Sequence, residues 1–341
     1  MLSFLNDYSA GAHGKIMARL MDTNYIKTSG YGGDEFCAAA KEKIRAACAC
    51  PEAEIFFLYG GTQTNQIAID TLLQPYEGAI SAVTGHINTH ESGAIEFTGH
   101  KVLALPEHDG KLDAAEVREY CRSYYADPTF DHMVFPGLVY ISHPTELGTL
   151  YTKAELEALR QVCDEFDMTL YLDGARLGYA LACEDSDVTL ADIAALTDAF
   201  YIGGTKVGAL YGEALVFTKG NMPRNFLSQV KQHGALAAKG RLIGLQFDSL
   251  FTDGLYYEIG RHALSQAKAL KNGLAEKGYG FLADSPTNQL FPIVTNEKYV
   301  QIKDKVACSY WSPLDEERCV LRFVTDFATS DEDVKALLEL M

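Results

Sequence analysis

The 341-residue sequence lacks the features that mark several classes of protein. Its eight cysteines form no C-x-x-C pair, and no spacing of cysteine and histidine is typical of a metal site. Lys and Arg number 29 against 46 Asp and Glu, so no excess of positive charge would attract nucleic acid or an anionic membrane. No apolar run approaches the roughly 18 residues of a membrane helix, and no basic segment followed by an apolar one opens the chain. These absences predict a cytoplasmic protein with reduced thiols and no bound metal.

Helical and strand patterns alternate along the chain. Residues 54–59 (EIFFLY), 137–142 (GLVYIS) and 169–173 (TLYLD) are short apolar runs typical of buried strands. Residues 34–50 and 153–166 carry apolar side chains at helical spacing. Apolar strands that alternate with helices predict an α/β fold, in which a mostly parallel central sheet is sandwiched by helices.

The pattern changes near residue 229. Two long helical stretches, from there to residue 251 and from 256 to 277, lead into a shorter segment of strands and helices. We therefore expect a large α/β domain over residues 1–245, including an N-terminal arm. A smaller α+β domain is expected over residues 246–341.

Two segments at predicted strand ends carry reactive side chains. YLDGAR (171–176) offers the carboxylate of Asp173 and the guanidinium of Arg176, and YIGGTK (201–206) offers the amine of Lys206. A lysine amine can form a Schiff base with pyridoxal phosphate, and an aspartate can keep the ring nitrogen of that cofactor protonated. Taken singly, these residues also fit a turn aspartate, a surface ion pair and a solvated lysine.

A possible phosphate site lies in YGGTQTNQ (59–66). A strand that ends at Tyr59 is followed by two glycines and a predicted helix near Thr62. The backbone N–H groups and the positive end of such a helix bind anions, and the Thr62 hydroxyl adds a donor. Plain capping of the helix is the alternative.

His86 follows another predicted strand, in VTGHINTHE. Its imidazole is placed either to lie flat on an aromatic ring or to hydrogen-bond the backbone. Glu91 is either a surface carboxylate or the partner of an active-site group. Ligands of parallel sheets bind beyond the carboxyl ends of the strands, so these strand-end residues are expected to converge.

With these segments in this order, the sequence resembles the low-specificity L-threonine aldolase and β-eliminating lyase family. The resemblance covers nearly the whole chain, and DGAR with the following lysine is its most specific element. GGTQTNQ, GYGGDE (30–35) and VLRFVT (320–325) support it. The family consists of pyridoxal-phosphate enzymes with the aspartate-aminotransferase-like fold, known as fold type I.

The resemblance implies roles for individual residues. Lys206 would bind the cofactor covalently, Asp173 would pair with its ring nitrogen, and His86 would stack on the ring and act as a base. The cofactor-binding set implied in full is Gly61, Thr62 and Gln63 at the phosphate, with His86, Asp173, Arg176, Thr205, Lys206 and Lys239.

A second implied set binds the substrate. Arg322 would hold the substrate carboxylate, because a guanidinium can bind a carboxylate through two hydrogen bonds. The full set is Arg322, Arg176, Asn6, Tyr31 and His132. Tyr31 and Lys239 would reach the site of a neighbouring subunit, so the resemblance implies a homodimer or homotetramer with an amino acid as its small-molecule partner.

The implied activity belongs to amino-acid metabolism. The enzyme would cleave L-threonine or L-allo-threonine between Cα and Cβ to glycine and an aldehyde. A β-eliminating lyase on the same scaffold, acting on another amino acid, is the first alternative. A non-catalytic binding module that keeps the fold is the second.

Overall fold

The computed structural model describes residues 1–341. Its thirteen β-strands are Leu2–Ser3 (β1), Glu54–Leu58 (β2), Glu77–Ala82 (β3), Val102–Leu105 (β4), Phe135–Ser142 (β5), Thr169–Asp173 (β6), Ala199–Gly203 (β7), Glu213–Phe217 (β8), Gln289–Leu290 (β9), Ile293–Thr295 (β10), Val306–Ala307 (β11), Ser309–Pro313 (β12) and Arg318–Val324 (β13).

Fourteen α-helices and one 3₁₀ helix, Phe130–His132, connect these strands. The α-helices are Gly14–Asp22 (α1), Glu35–Ala47 (α2), Gly61–Leu72 (α3), His86–Thr89 (α4), Ala94–Phe97 (α5), Ala114–Ala126 (α6), Lys153–Glu165 (α7), Leu177–Ala182 (α8), Leu190–Leu196 (α9), Phe226–Gln232 (α10), Arg241–Leu250 (α11), Leu255–Glu276 (α12), Asn296–Ile302 (α13) and Asp331–Leu340 (α14).

A seven-stranded sheet forms the centre of the molecule, in the order β2-β8-β7-β6-β5-β3-β4. All of its strands run in one direction except β8, which pairs antiparallel with both β2 and β7. Strands β6, β7 and β8 are almost wholly buried, because separate hydrophobic clusters cover the two faces of the sheet. The predicted α/β fold with a mostly parallel, helix-covered sheet is therefore confirmed.

Local capping explains where several helices begin. Asp34 accepts a hydrogen bond from the Cys37 backbone N–H and starts α2, as its position before the predicted helix suggests. Thr152 starts α7 through a reciprocal capping box with Glu155. These caps satisfy backbone donors that the first turn of a helix leaves free.

One predicted element is wrong. The helical stretch expected from residue 229 to 251 is two helices, α10 and α11, separated by residues 233–240. Gly234 adopts a φ of +70° just beyond the end of α10, a conformation that glycine reaches without the strain of a side chain. The apolar spacing continues across this break, so spacing alone suggested one helix.

A smaller sheet lies in the C-terminal third of the chain. Strand β13 pairs antiparallel with β9, β10 and β12, and a third hydrophobic cluster packs against it. Strand β1 pairs with β11, so the first residues of the chain lie beside this unit. The division into residues 1–245 and 246–341 stays a prediction.

No helix of the structure is both long enough and apolar enough to cross a membrane.

Helices α8 and α12 pack at a distance that only small residues allow. A Cβ on Gly260 of α12 would clash with the carbonyl oxygen of Gly178 and would lie 2.7 Å from the Cβ of Ala182. Both of these residues belong to α8, whose N-cap is Arg176. The close contact therefore helps to position a residue implicated in ligand binding.

We expect Gly260→Ala to lower the free energy of unfolding by about 1–3 kcal/mol, the usual cost of overpacking. Urea unfolding measures this change. Gly280→Ala is the matched control, because a Cβ there would meet nothing within 4 Å. Equal stability of the two variants would show that α8 moves away from α12 without cost.

Candidate active site

Two adjoining cavities lie beyond the carboxyl ends of β6 and β7. The inner cavity, of about 320 Å³, is lined by the β6 and β7 strand ends and the start of α3. The outer cavity, of about 370 Å³, extends to the smaller sheet. The residues that line both are Tyr8, His86, Glu146, Arg176 and Lys206. The structure thus brings His86, Arg176 and Lys206 together, as predicted for residues at strand ends.

Asp173, the last residue of β6, is a buried carboxylate with four hydrogen-bond donors. Its Oδ2 accepts from the Tyr140 hydroxyl at 2.7 Å and from Asn65 Nδ2 at 2.9 Å. Its Oδ1 accepts from the Tyr201 hydroxyl and from the Ala175 backbone N–H. Asp173 is neither exposed nor paired with an arginine, so the readings as a simple turn residue or surface ion pair do not describe it.

The hydrogen bonds decide the charge of Asp173. Burial raises the pKa of a carboxyl group, but the charge of His86 and the hydrogen bonds from Tyr201 and Asn65 bring the pKa of Asp173 below its usual value. Asp173 is therefore ionised at neutral pH. An ionised carboxylate on the wall of this cavity is a suitable partner for a protonated ring nitrogen.

His86, at the start of α4, is oriented by a buried carboxylate. Its Nδ1 lies 2.7 Å from Glu91 Oε1, which also accepts a hydrogen bond from Asn65 Nδ2. Glu91 is buried, so it is the partner of a site residue and not a surface carboxylate. Because Nδ1 donates to Glu91, the Nε2 of a neutral His86 carries the lone pair, and the ring lines both cavities.

Glu146 is a site residue that the sequence reasoning missed. Its Oε1 accepts hydrogen bonds from the His86 backbone N–H at 2.9 Å and from the Ser142 hydroxyl at 2.6 Å. Burial raises the pKa of Glu146 above its usual value. This contact joins the loop after β5 to the start of α4.

Lys206 lies in the loop after β7 and lines both cavities. It forms no ion pair in the structure, and burial together with the charge of Arg176 lowers the pKa of its amine. A lower pKa increases the neutral fraction of the amine, and the neutral amine is the nucleophile. Lys206 is thus not a solvated loop lysine.

Glu213 is the second missed residue. It is the first residue of β8, where it pairs with Gly203 of β7 and Leu58 of β2, and its Oε2 accepts from the Gly204 backbone N–H at 3.0 Å. Burial raises the pKa of Glu213 to about 8, so it is largely uncharged at pH 7. The signal for it was a lone acidic residue at the edge of the apolar run EALVF.

The start of α3 fits a phosphate group. Gly60 is the N-cap of α3 and supplies no side-chain hydrogen bond, so the first N–H groups of the helix are left for another acceptor. A Cβ on Gly61 would lie 2.9 Å from the Tyr201 hydroxyl, so glycine leaves this corner of the cavity open. Thr62 lines the same cavity, whereas the Gln63 side chain turns back to the Tyr59 backbone N–H.

Arg176 is already engaged by a carboxylate. Its Nε and Nη2 donate to the two oxygens of buried Asp7, at 2.7 and 3.0 Å, and Asn288 donates to the same aspartate. Burial raises the pKa of Asp7, but the charges of Arg176 and Lys206 outweigh this and lower it. The Nη1 of Arg176 has no hydrogen-bond partner in the chain and stays available to a ligand, because Asp7 takes hydrogen bonds only from Nε and Nη2.

Arg322 differs from Arg176 because no carboxylate pairs with it. Its Nη1 and Nη2 reach only the neutral Gln289 side chain and Ser309 hydroxyl, at 3.4 and 3.2 Å, and its buried Nε has no partner. A half-buried guanidinium without an anion is costly, and an anionic ligand would relieve that cost. Arg322 lines the outer cavity, where a substrate carboxylate would fit.

Besides Gln63, four predicted residues do not line either cavity of this chain. Asn6 lies beside Asp7, and its Oδ1 accepts from the Tyr8 backbone N–H. Tyr31 and Lys239 are exposed on adjoining loops, where the Tyr31 N–H donates to the Ala238 carbonyl oxygen. His132 is exposed at the end of the 3₁₀ helix. The roles of Asn6, Tyr31, His132 and Lys239 stay predictions.

The chain is similar to known proteins over most of its length. The model of the beta-eliminating lyase family matches residues 4–302. A low specificity L-threonine aldolase from Pseudomonas sp. is 31% identical over 88% of this chain and 84% of its own length. The structure of a threonine aldolase from Leishmania major is 43% identical, covers 100% of this chain and 98% of its own, and superimposes with a TM-score of 0.96.

More distant structures show the fold alone. An aspartate aminotransferase from Thermus thermophilus is 17% identical over 99% of this chain and 95% of its own, with a TM-score of 0.72. The chain therefore has the aspartate-aminotransferase-like fold of fold type I, as expected.

We expect Asp7→Asn to lower the free energy of unfolding by about 3 kcal/mol or more, because it leaves the buried Arg176 guanidinium without its anion. Urea unfolding of the variant measures this loss. Asp284→Asn is the control, since the side chain of Asp284 is 96% exposed in its pair with Lys271 and should cost less than about 1 kcal/mol. Equal small losses would contradict a tight Asp7–Arg176 pair.

Proposed function

The chain belongs to the beta-eliminating lyase family, and we propose that it is a pyridoxal-phosphate-dependent aldolase that cleaves L-threonine or L-allo-threonine to glycine and acetaldehyde. One observation carries the proposal. The amine of Lys206, the ionised Asp173 and the Glu91-bound His86 lie around one cavity, next to an arginine that lacks an anion. The threonine aldolase names of the similar proteins support it.

The residues of the inner cavity fit pyridoxal phosphate. Lys206 would attach it, Asp173 would bind its ring nitrogen, and the N–H groups at Gly61 and Thr62 would bind its phosphate. Gln63, His86, Arg176 and Thr205 are proposed as further cofactor contacts within the same subunit. Lys239 is proposed as a cofactor contact from a neighbouring subunit. When bound, the cofactor withdraws electrons from the bond that breaks at the substrate Cα.

His86 has the geometry of the general base. Glu91 holds Nδ1, which leaves the lone pair of Nε2 free to accept the proton of the substrate β-hydroxyl group as the Cα–Cβ bond breaks. The hydroxyl-bearing carbon leaves as the aldehyde, and the Cα is then protonated to give glycine. The buried Glu91 carboxylate stabilises the imidazolium that forms.

Arg322 would hold the substrate carboxylate in the outer cavity, which it lines. Gln289 and Ser309 orient its guanidinium through neutral contacts, so its charge stays available to the ligand. Asn6, Arg176 and His132 are proposed as further substrate contacts. Fixing the carboxylate fixes the torsion about the substrate Cα, which decides the bond that breaks.

We also propose an assembly and a compartment. The exposed Tyr31 and Lys239 would complete the site of a neighbouring subunit in a homodimer or a dimer of dimers. The cytoplasm is the proposed compartment, which fits eight free cysteines, most of them buried.

Product analysis tests the activity directly. With L-threonine we expect glycine and acetaldehyde, detected by amino-acid analysis and by reduction of the aldehyde with a coupled alcohol dehydrogenase. A β-eliminating lyase would instead release a keto acid and ammonia. A binding module would release neither product.

Lys206→Ala should abolish product formation while the protein remains folded, since it removes the amine that attaches the cofactor. The same coupled assay measures turnover, and circular dichroism measures folding. Lys268→Ala is the control, because the Lys268 side chain is 72% exposed and lies outside both site cavities. Full activity of Lys206→Ala would exclude the proposed mechanism.

Arg322→Lys should raise the KM for L-threonine by about 10- to 100-fold, because a point charge replaces a guanidinium that can bind a carboxylate through two hydrogen bonds. The affinity for pyridoxal phosphate should change little, as measured by titration of visible absorbance. An unchanged KM would assign the substrate carboxylate to another residue.

A further inference from the structure

Trp311 is the only tryptophan of the chain, and an irregularity in β12 sets its position. Tyr310 pairs with Leu321 of β13 and Ser312 pairs with Val320, so Trp311 is an extra residue in the ladder. Such a bulge changes the direction of a side chain relative to regular pairing. Here the half-buried Trp311 lines the outer cavity.

The Trp311 ring belongs to a row of flat side chains along the outer cavity. Its centroid lies 6.5 Å from that of His90, with the planes 18° apart, and His90 stacks on His86 at 5.7 Å and 23°. The Phe291 ring packs edge-on against the Trp311 ring, with the centroids 5.0 Å apart, and this contact restrains the indole. The guanidinium of Arg322 lies 5.4 Å from the centroid of the indole ring.

The row joins two points that the proposed function assigns to the substrate. Arg322 would bind the carboxylate, and His86 would act at the β-carbon. The substituent on the β-carbon would therefore contact the part of the cavity wall between Arg322 and His86, which His90 and Trp311 form. Burial and the neighbouring His86 lower the pKa of His90, so this wall is uncharged at neutral pH.

We propose that Trp311 is a specificity-determining residue, whose indole ring contacts a flat β-substituent of the substrate at the cavity wall and favours aryl over alkyl side chains. This inference rests on the proposed function. Aromatic pairs gain energy from offset or edge-on contact beyond the burial of apolar area, whereas a methyl group gains only the burial.

Two variants separate the effect of a flat ring at position 311 from the effect of a large apolar side chain there. Trp311→Leu keeps an apolar side chain and removes the ring, and Trp311→Phe keeps a ring. For Trp311→Leu we expect the ratio of kcat/KM for 3-phenylserine to kcat/KM for L-threonine to fall about tenfold. Trp311→Phe should keep most of the wild-type ratio. A ratio unchanged in Trp311→Leu, or an equal loss for both substrates, would overturn the proposal.

A second measurement uses the unaltered, cofactor-loaded enzyme and no turnover. L-Phenylalanine lacks the β-hydroxyl group and cannot undergo the cleavage, so its binding can be followed by the fluorescence of Trp311. We expect L-phenylalanine to change the emission at concentrations where L-alanine has little effect. Equal responses would overturn the proposal. If aldolase activity is absent but this difference remains, the proposed function is wrong, whereas the preference of Trp311 for flat substituents is supported.

Discussion

The buried carboxylate of Asp173 is the constraint around which the site is arranged. Its three side-chain donors come from different elements, Tyr140 on β5, Tyr201 on β7 and Asn65 on α3. An ionised group at this depth is tolerated only when such donors replace water. The same bonds therefore connect β6, which carries Asp173, to β5, to the end of β7 that precedes Lys206, and to α3, whose N-terminus lines the cavity. Asn65 extends the network to Glu91 and so to His86.

The two arginines of the site show how charge is distributed around that network. Arg176 is neutralised by Asp7, from the N-terminal segment, and its bidentate pair is buried. Arg322 has no such partner and is held only by neutral groups and by the face of Trp311. A ligand with one negative charge therefore finds one unpaired guanidinium, which is consistent with an amino-acid substrate.

The fold was largely predictable, as was the meeting of His86, Arg176 and Lys206 at one cavity, because the signals for both are local. Short apolar strands, the cap at Asp34 and the strand-end DGAR segment are read from neighbouring residues. The partners were not predictable, since they depend on contacts between distant parts of the chain. Asp7 meets Arg176 across 169 positions, and Tyr201 meets Asp173 only because β6 and β7 are neighbours. The bulge that places Trp311 also depends on pairing with β13.

Lys206 is proposed to hold pyridoxal phosphate beside Asp173. The most direct test is a visible absorbance spectrum of the purified protein, taken before and after treatment with borohydride and followed by peptide mapping. We expect an absorbance band that reduction removes, with the reduced cofactor attached to the peptide that contains Lys206. The absence of any band after pyridoxal phosphate is added, or attachment at another lysine, would contradict it.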